Sequence, residues 1–476
     1  KGDGIGSEIM EAVINIFNKV GVPLEYNFIE MGRETFLKGF KLGMTEEAKQ
    51  TVETLGILFK GPMETPKGGG NRSINVTARK MWGTFANCRR FKTLPGVETI
   101  YSKAGIPIDL TIIRENLEDT YGGIEHLIAS DLGISRKLAS MVGAEQINRY
   151  AFEYAKQQGL TEVVCGHKAN IMKITDGLFL EVFYEIAKEY PEIIAKDVIV
   201  DDLCMKLVTV PNKFQVVVLP NLQGDIVSDL CAGLVGGLGF APSANIGNNI
   251  NIFEAVHGTA PDITGKNVAN PTALLMSGLM MLNYLGLGYY AQKIEIAMLE
   301  ALKAGIHTPD LKSANKPVST VEYANAIIEK ALAVKDSDIK HITNNKPITI
   351  KGAKKPNGNV PVMLETKEVA STCVGIDLFI ASNETPNVLA SNVNKLLESF
   401  KDFKIEVITN RGTAVYPVGS KFTECVTNYT VRFFYQKDNM PEIEGLKLAT
   451  YIATKYKLLS LEFLRKYGDK LGFSVF

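Results

Sequence analysis

Asp225 and Asp229 are the first residues of this chain whose type and spacing suggest chemistry. They lie in Asn221-Leu-Gln-Gly-Asp-Ile-Val-Ser-Asp229, directly after the apolar run Phe214-Gln-Val-Val-Val-Leu-Pro220. The run reads as a buried strand and the segment after it as a helix. Residues four apart share a helix face, so the two carboxylates converge at the mouth of a strand-to-helix turn. Like charges so placed repel unless a cation separates them. A hard divalent ion, Mg²⁺ or Mn²⁺, suits such oxygen donors and keeps positions open for substrate. The alternative is a solvated helix start, where aspartate is favoured by capping and by the helix dipole.

Other groups point to an anionic small substrate. Ser73-Ile-Asn-Val-Thr-Ala-Arg79 opens a helix with a hydroxyl, an amide and a guanidinium, which together make a carboxylate site. Arg89, Arg90 and Arg114 follow at the ends of elements, in a chain with 52 basic and 52 acidic residues. Arginines concentrated there suit a polyanionic ligand, the alternative being an ion-pair scaffold. Tyr121, flanked by glycines, can donate a proton or simply pack. Lys168 lies just past the strand Glu162-Val-Val-Cys165, and Asp201-Asp202 end the strand Asp197-Val-Ile-Val200. With Asp225, these groups fall beyond strand C-termini, the edge of an open α/β sheet where ligands bind.

These groups need a scaffold of alternating elements. From Glu162 to Leu230 the pattern reads strand, helix, strand, strand, helix. Lys1 to Glu8 is a glycine-rich turn entering an amphipathic helix to Lys19, but its third glycine is misplaced for a Rossmann fingerprint. Gly61 to Gly70 is a glycine-rich loop after the strand Ile57-Leu-Phe59. It exposes backbone N–H groups to a ligand yet lacks the P-loop lysine spacing. Ile252 to Val256 reads as a strand running into the polar loop His257 to Asn270, and helices follow to Val334. Lys335 to Pro361 is rich in Lys, Asn, Pro and Gly and reads as a linker. Strands and helices alternate again beyond it, predicting a small C-terminal α/β or α+β domain.

Composition bounds the remaining possibilities. A chain of 476 residues suggests about three domains. Zero formal net charge argues against a general nucleic-acid surface. No apolar run approaches the length of a membrane-spanning helix. The six cysteines are far apart and form no Cys-x-x-Cys pair, which fits buried reduced thiols better than zinc or disulfides. The start at Lys1, inside what reads as a strand-to-loop junction, suggests that upstream residues are missing. The residues do not separate cytosol from mitochondrial matrix.

Taken together, Gly2-Asp-Gly-Ile-Gly6, Ser73 to Arg79, Ile113-Arg-Glu-Asn116, His167-Lys-Ala-Asn-Ile-Met172, Asn221 to Asp229, Ala241-Pro-Ser-Ala-Asn-Ile-Gly247 and His257 to Asn270 resemble the β-decarboxylating (isocitrate/isopropylmalate) dehydrogenase family from Lys1 to about Val334. The resemblance implies a two-domain α/β fold that is not a Rossmann fold. It places residues 1–84 and 236–335 in a large domain, 85–118 and 141–235 in a small domain, and 119–140 in a clasp. Residues 336–361 form the linker and 362–476 the extra C-terminal domain of a longer subgroup, expected to serve dimer or tetramer contacts.

The function so implied is oxidation and decarboxylation of isocitrate to 2-oxoglutarate and CO₂, a step of the tricarboxylic acid cycle. Ser73, Asn75, Arg79, Arg89, Arg114 and Tyr121 would hold isocitrate. Arg90 stands where the family has proline, so Arg89 and Arg90 both compete for the substrate-facing role. Asp225 and Asp229 would bind Mg²⁺ or Mn²⁺ together with Asp201 of a second subunit, which also supplies Lys168 and Asn170 in a homodimer. Lys168 with Asp201 would take the hydroxyl proton, and Tyr121 would return one to carbon. Ser73 and Asn75 match the isocitrate branch rather than the isopropylmalate branch, whose site is apolar here; homoisocitrate and tartrate enzymes are further alternatives. A non-catalytic regulatory subunit is disfavoured, because every reactive group is present. Thr65, Asn75, His257, Gly258, Thr259, Ala260, Asp262, Ile263 and Asn270 would bind the dinucleotide. Asp262-Ile263 replaces the Lys-Tyr pair of NADP-using relatives, and a carboxylate there should repel a 2′-phosphate, which predicts NAD.

Overall fold

The computed structural model describes residues 1–64, 73–311, 315–339, 348, 350, 362–366 and 369–475. By compactness the chain divides into two units. The first is Lys1–Gly122 with Lys137–Leu364, and the second is Gly123–Arg136 with Glu365–Phe476.

The first unit is built on an eight-stranded sheet. Its strands are β1 (Ile57–Phe59), β2 (Ala86–Lys92) and β3 (Asp109–Glu115), and, beyond a separate hairpin of β4 (Glu125–Ala129) and β5 (Leu132–Ser135), β6 (Glu162–His167), β7 (Ile194–Ile199), β8 (Val216–Leu219), β9 (Pro242–Ile246) and β10 (Asn251–Ala255). The sheet order is β1-β10-β9-β2-β3-β8-β6-β7. β3, β8, β6 and β7 run parallel, while β2 and β9 are antiparallel to their neighbours. Both faces of the parallel half are covered, which is why its strands read as unbroken apolar runs. Val163, Cys165, Val216 and Val218 pack under the helices Met141–Gln157 and Thr175–Ala187. The alternating residues Val164, Val217 and Leu219 pack under Val200–Thr209 and Asn221–Leu234. A further core joins the helix Gly6–Val20 to the helices Thr272–Tyr284, Gly288–Lys303 and Thr320–Ala333.

In the second unit, β11 (Thr372–Ala381), β12 (Phe403–Asn410), β13 (Thr413–Tyr416), β14 (Asn428–Tyr435), β15 (Lys457–Tyr467) and β16 (Lys470–Leu471) form an antiparallel sheet in the order β13-β12-β14-β11-β15-β16. The helices Pro386–Leu396 and Glu442–Ile452 contribute Leu389, Val393, Leu448 and Ile452 to its core. It is an α+β domain of the split β-α-β kind. The hairpin β4–β5 belongs to this unit, and Arg136 of the hairpin pairs with Glu462 of β15 at 2.6 Å.

Three sequence expectations need correction. Asp201 and Asp202 do not end a strand: β7 stops at Ile199, and both lie in the first turn of the helix Val200–Thr209. Aspartate is favoured there by the helix dipole, and the run from Glu162 to Leu230 gains a helix that the apolar pattern had merged into the strand. Arg89 lies in the middle of a strand rather than at an element end. β2 and β9 were not expected as strands, because Ala-Asn-Cys-Arg-Arg-Phe-Lys and Pro-Ser-Ala-Asn-Ile carry weak strand propensity. Pairing on both sides imposes the conformation.

Candidate active site

Strand alternation decides between the two arginines of β2. Arg90 turns to one face and makes a bidentate pair with Asp109 at 2.9 and 2.8 Å. Arg89 turns to the other face and is buried. Its Nη1 donates to Ser228 Oγ at 2.6 Å, and its guanidinium lies 3.4 Å from Asp225 and 3.6 Å from Asp229. Arg114, near the end of β3, is also buried and donates to Asp225 Oδ1 and to Asn221 Oδ1. The helix Asn221–Leu234 passes so close that a Cβ on Gly224 would lie 2.7 Å from Arg114 Cγ. Tyr121 donates its hydroxyl to Asp225 Oδ2 at 2.6 Å, and its ring sits 4.8 Å from the Arg114 guanidinium carbon.

This packing sets the charges. Burial pushes the Asp225 carboxyl up, but Arg114 and Arg89 outweigh burial and hold it below the usual carboxylate range. Asp229 has less compensation, and burial raises it. Burial, and then Arg114, draw the Arg89 guanidinium down to about 10. Burial and the bond to Asp225 raise the Tyr121 phenol, so it stays protonated at neutral pH.

A second group lies on the helix Ile74–Met81, whose N-cap is Ser73. Arg79 Nη2 donates to Glu254 Oε1 at 2.7 Å, and Lys60 pairs with the other oxygen of the same carboxylate. Burial would raise Glu254, but Lys60 and Arg79 overcome it and hold it far below the usual range. From Glu254 a buried amide chain continues through Asn245 and Asn87 to Arg89. Glu254, Lys60, Asn245 and Asn87 did not stand out in the sequence. A charge inside the apolar strand β10 and another directly after β1 were the available signal, since buried charges need partners.

Asn75, Arg79, Glu254, His257, Gly258 and Thr259 line one cleft of about 670 Å³. Three polar atoms of its lining residues, Asn75 Oδ1, Arg79 Nε and His257 Nε2, are buried with no hydrogen-bond partner among the described residues. Burial lowers the His257 imidazole, favouring its neutral form. The glycine-rich turn Gly2–Gly6 proves to be a spine for this cleft. Ile5 N donates to Thr259 O, and Asp3 N to Pro62 O. A Cβ on Gly4, which has φ +59°, would lie 2.1 Å from Thr259 O. Glu8 holds the far end of the loop through Asn267 N, Ala269 N and Thr320 Oγ1. Ala260 adopts φ 40° ahead of the turn Pro261–Ile263, which carries Asp262 and Ile263. Asn270 is held by Asp310 at 2.8 Å and accepts from Thr272 N. Thr65 lies outside the described residues.

Lys168 and Asp201 form a separate pair. β6 and β7 are parallel with His167 opposite Ile199, so the residues just beyond them meet, and Lys168 Nζ donates to Asp201 Oδ1. That bond lowers the Asp201 carboxyl. Asn170 is exposed in the following turn. Among the described residues no three His, Cys, Asp or Glu side chains of one chain group as a metal site. Asp201 therefore does not join Asp225 and Asp229 within a single copy.

The chain as a whole has counterparts among known proteins. The profile of the isocitrate/isopropylmalate dehydrogenase family matches residues 1–327, and the chain belongs to that family. The profile of the bacterial isocitrate dehydrogenase C-terminal domain matches residues 371–476, so the chain is of the longer kind with that extra domain. It is 40% identical to an NADP isocitrate dehydrogenase of Thermus thermophilus over 477 residues, covering 99% of this chain and 94% of that one. It is 38% identical to one of Rickettsia bellii over 483 residues, covering 100% and 97%. The NAD isocitrate dehydrogenase subunit 2 of Schizosaccharomyces pombe mitochondria is 45% identical over 333 residues, 69% of this chain and 86% of that one. The crystal structure of the TT0538 protein from Thermus thermophilus superposes with a TM-score of 0.91 at 39% identity, covering 99% of this chain and 94% of that one. That of Methylococcus capsulatus isocitrate dehydrogenase gives 0.66 at 43% identity, covering 69% and 97%.

These matches overturn the expectation of NAD and of an NAD-dependent enzyme. The relatives just described that span the whole chain are named for NADP, whereas the NAD-named one matches only in part. The geometry supplies a reason. Asp262 is exposed, and water and salt screen an exposed carboxylate, weakening any repulsion of a 2′-phosphate.

Proposed function

We propose that this chain oxidises and decarboxylates isocitrate to 2-oxoglutarate and CO₂ with NADP, the cofactor of its full-length relatives. The observation that carries this reading is the cleft lined by Asn75, Arg79 and His257, each of which has a buried polar atom with no hydrogen-bond partner among the described residues. Buried polar atoms without partners are costly, and a polar ligand removes the cost.

Each group of the chain then has a task. Arg79, Arg89 and Arg114 bind substrate carboxylates, and Ser73 with Asn75 takes the third at a helix N-terminus. His257, Gly258, Thr259 and Ala260 shape the dinucleotide side, with Asp262, Ile263 and Asn270 completing the loop, and Thr65 is a further dinucleotide contact. Lys168 takes the hydroxyl proton with help from Asp201. A bound dinucleotide would supply the hydride acceptor for C2, and Tyr121, kept protonated, returns a proton to C3 after CO₂ is lost. Asp225 and Asp229 supply only oxygen donors, a set that fits Mg²⁺ or Mn²⁺. When bound, such an ion polarises the substrate hydroxyl and the adjacent carboxylate.

The site is completed by a second copy. Lys168 and Asp201 face each other rather than Asp225, and the adjoining helices expose Met205, Val208, Leu222 and Ile226. An apolar stripe beside incomplete catalytic groups suits a homodimer that lends Lys168, Asn170 and Asp201 across its interface. The separate cores support residues 1–84 with 236–335 and 85–118 with 141–235 as two domains. The test is the initial rate of reduced-cofactor formation from isocitrate, with NADP or NAD, with and without Mn²⁺. No turnover with NADP, isocitrate and Mn²⁺ together removes the proposal.

A further inference from the structure

The turn that carries Lys168 has its own support, which the proposed chemistry does not use. Ala169 N donates to His167 Nδ1 at 3.0 Å, and His167 Nε2 lies 2.9 Å from Asp197 Oδ2. Tyr184 donates its hydroxyl to the other oxygen, Asp197 Oδ1. A backbone N–H can only donate, so Nδ1 must be bare and the ring proton must sit on Nε2, pointing at Asp197. His167 is 4% exposed, which leaves its ring little room to rotate away. The neighbouring amide is also engaged. Lys168 N donates to Asp176 Oδ2 at 2.8 Å, and that carboxylate is held by Lys137 and by Gln223 of the Asn221 helix. Lys168 O closes the turn by accepting from Ile171 N and Met172 N. Burial pushes Asp197 up, but Tyr184 and His167 overcome it and keep the carboxylate ionised.

We propose that His167 is a positioning residue. Held as its Nε2–H tautomer by Asp197 and Tyr184, it fixes the Ala169 amide and so aims Lys168 and Asn170. The inference rests on the proposed role of Lys168 in proton removal. A misplacement of about 1 Å in a group that moves a proton costs up to about a hundredfold in rate.

Two substitutions separate the two ring nitrogens. His167→Asn puts an acceptor oxygen near the Nδ1 position and keeps the Ala169 bond. His167→Gln puts an amide nitrogen near the Nε2 position and keeps only the Asp197 bond. The expected result is a kcat about 10- to 100-fold lower in His167→Gln, with the isocitrate KM changed little. His167→Asn should recover most of that loss. Two readouts on the full chain do not depend on turnover. One is the ¹⁵N spectrum of histidine-labelled protein, which should show a bare Nδ1 for His167. The other is acylation of Lys168 by acetic anhydride, followed by peptide mass spectrometry, which should be faster in His167→Gln than in His167→Asn. A protonated Nδ1, or equal Lys168 labelling in the two variants, overturns the proposal even where both variants are destabilised. If the unaltered chain does not oxidise isocitrate, the functional reading fails while these two readouts still decide the positioning role.

Discussion

Glu254 serves two cations that no local sequence pattern joins to it. Lys60, Arg79 and Glu254 meet because β1 pairs with β10 and the helix Ile74–Met81 crosses their ends. Glu254→Ala leaves Lys60 and Arg79 as uncompensated buried charges, and breaking such a pair costs about 3–5 kcal/mol. A lower melting temperature together with a raised isocitrate KM is the expected outcome, and an unchanged melting curve counts against it. Glu115 behaves in the opposite way. It takes the N–H groups of Leu117 and Glu118 at the start of the strap to Tyr121, yet burial pushes it up to about 7. Between the ordinary carboxylate range and pH 7 the folded chain holds a proton that the unfolded chain has released. Stability therefore falls as pH rises through that window, by roughly 3 kcal/mol in all. Glu115→Gln should flatten this slope in melting curves taken from pH 4.5 to 7.5. Single residues were legible in the sequence where type and position coincided, as with Lys168 just past β6 or Asp225 and Asp229 four apart. Glu254, Lys60, Asn245 and Asn87 were not, because their meaning comes from strand neighbours far away in the chain.

Among the elements, the long apolar strands and the amphipathic helices were readable because burial imposes their periods. β2 and β9 were not, since small polar residues become strands only when flanked on both edges. The glycine-rich turn was seen as a feature but not understood, because it braces two loops instead of holding a phosphate. Gly4→Ala tests that view. The added methyl group meets Thr259 O, so the loop must shift. The cofactor KM should rise several-fold more than the isocitrate KM, and equal changes in both would point to general destabilisation. Cofactor choice was the expectation that failed at this scale. A local dipeptide was given the weight of a whole binding surface, and its carboxylate proved to be exposed.

At the scale of the molecule, the proposed sharing of a site between two copies makes a prediction that a monomer cannot satisfy. Lys168→Met and Asp225→Asn should each be nearly inactive. Co-expressed, they should form hybrids in which one site draws an intact Lys168 from one copy and an intact Asp225 from the other, and the other site carries both lesions. Recovered activity in the mixture checks this, and none in a mixture shown to be hybrid refutes a shared site.

The hairpin Gly123–Arg136 leaves the chain two residues after Tyr121, joins the C-terminal sheet through Arg136 and Glu462, and returns at Lys137, which grips Asp176. The last hundred residues are thus woven into the middle of the polypeptide rather than hung on its end. A shortened version lacking them would strip this ribbon of its backing, so the chain cannot be trimmed to its shorter cousins' length by a single cut.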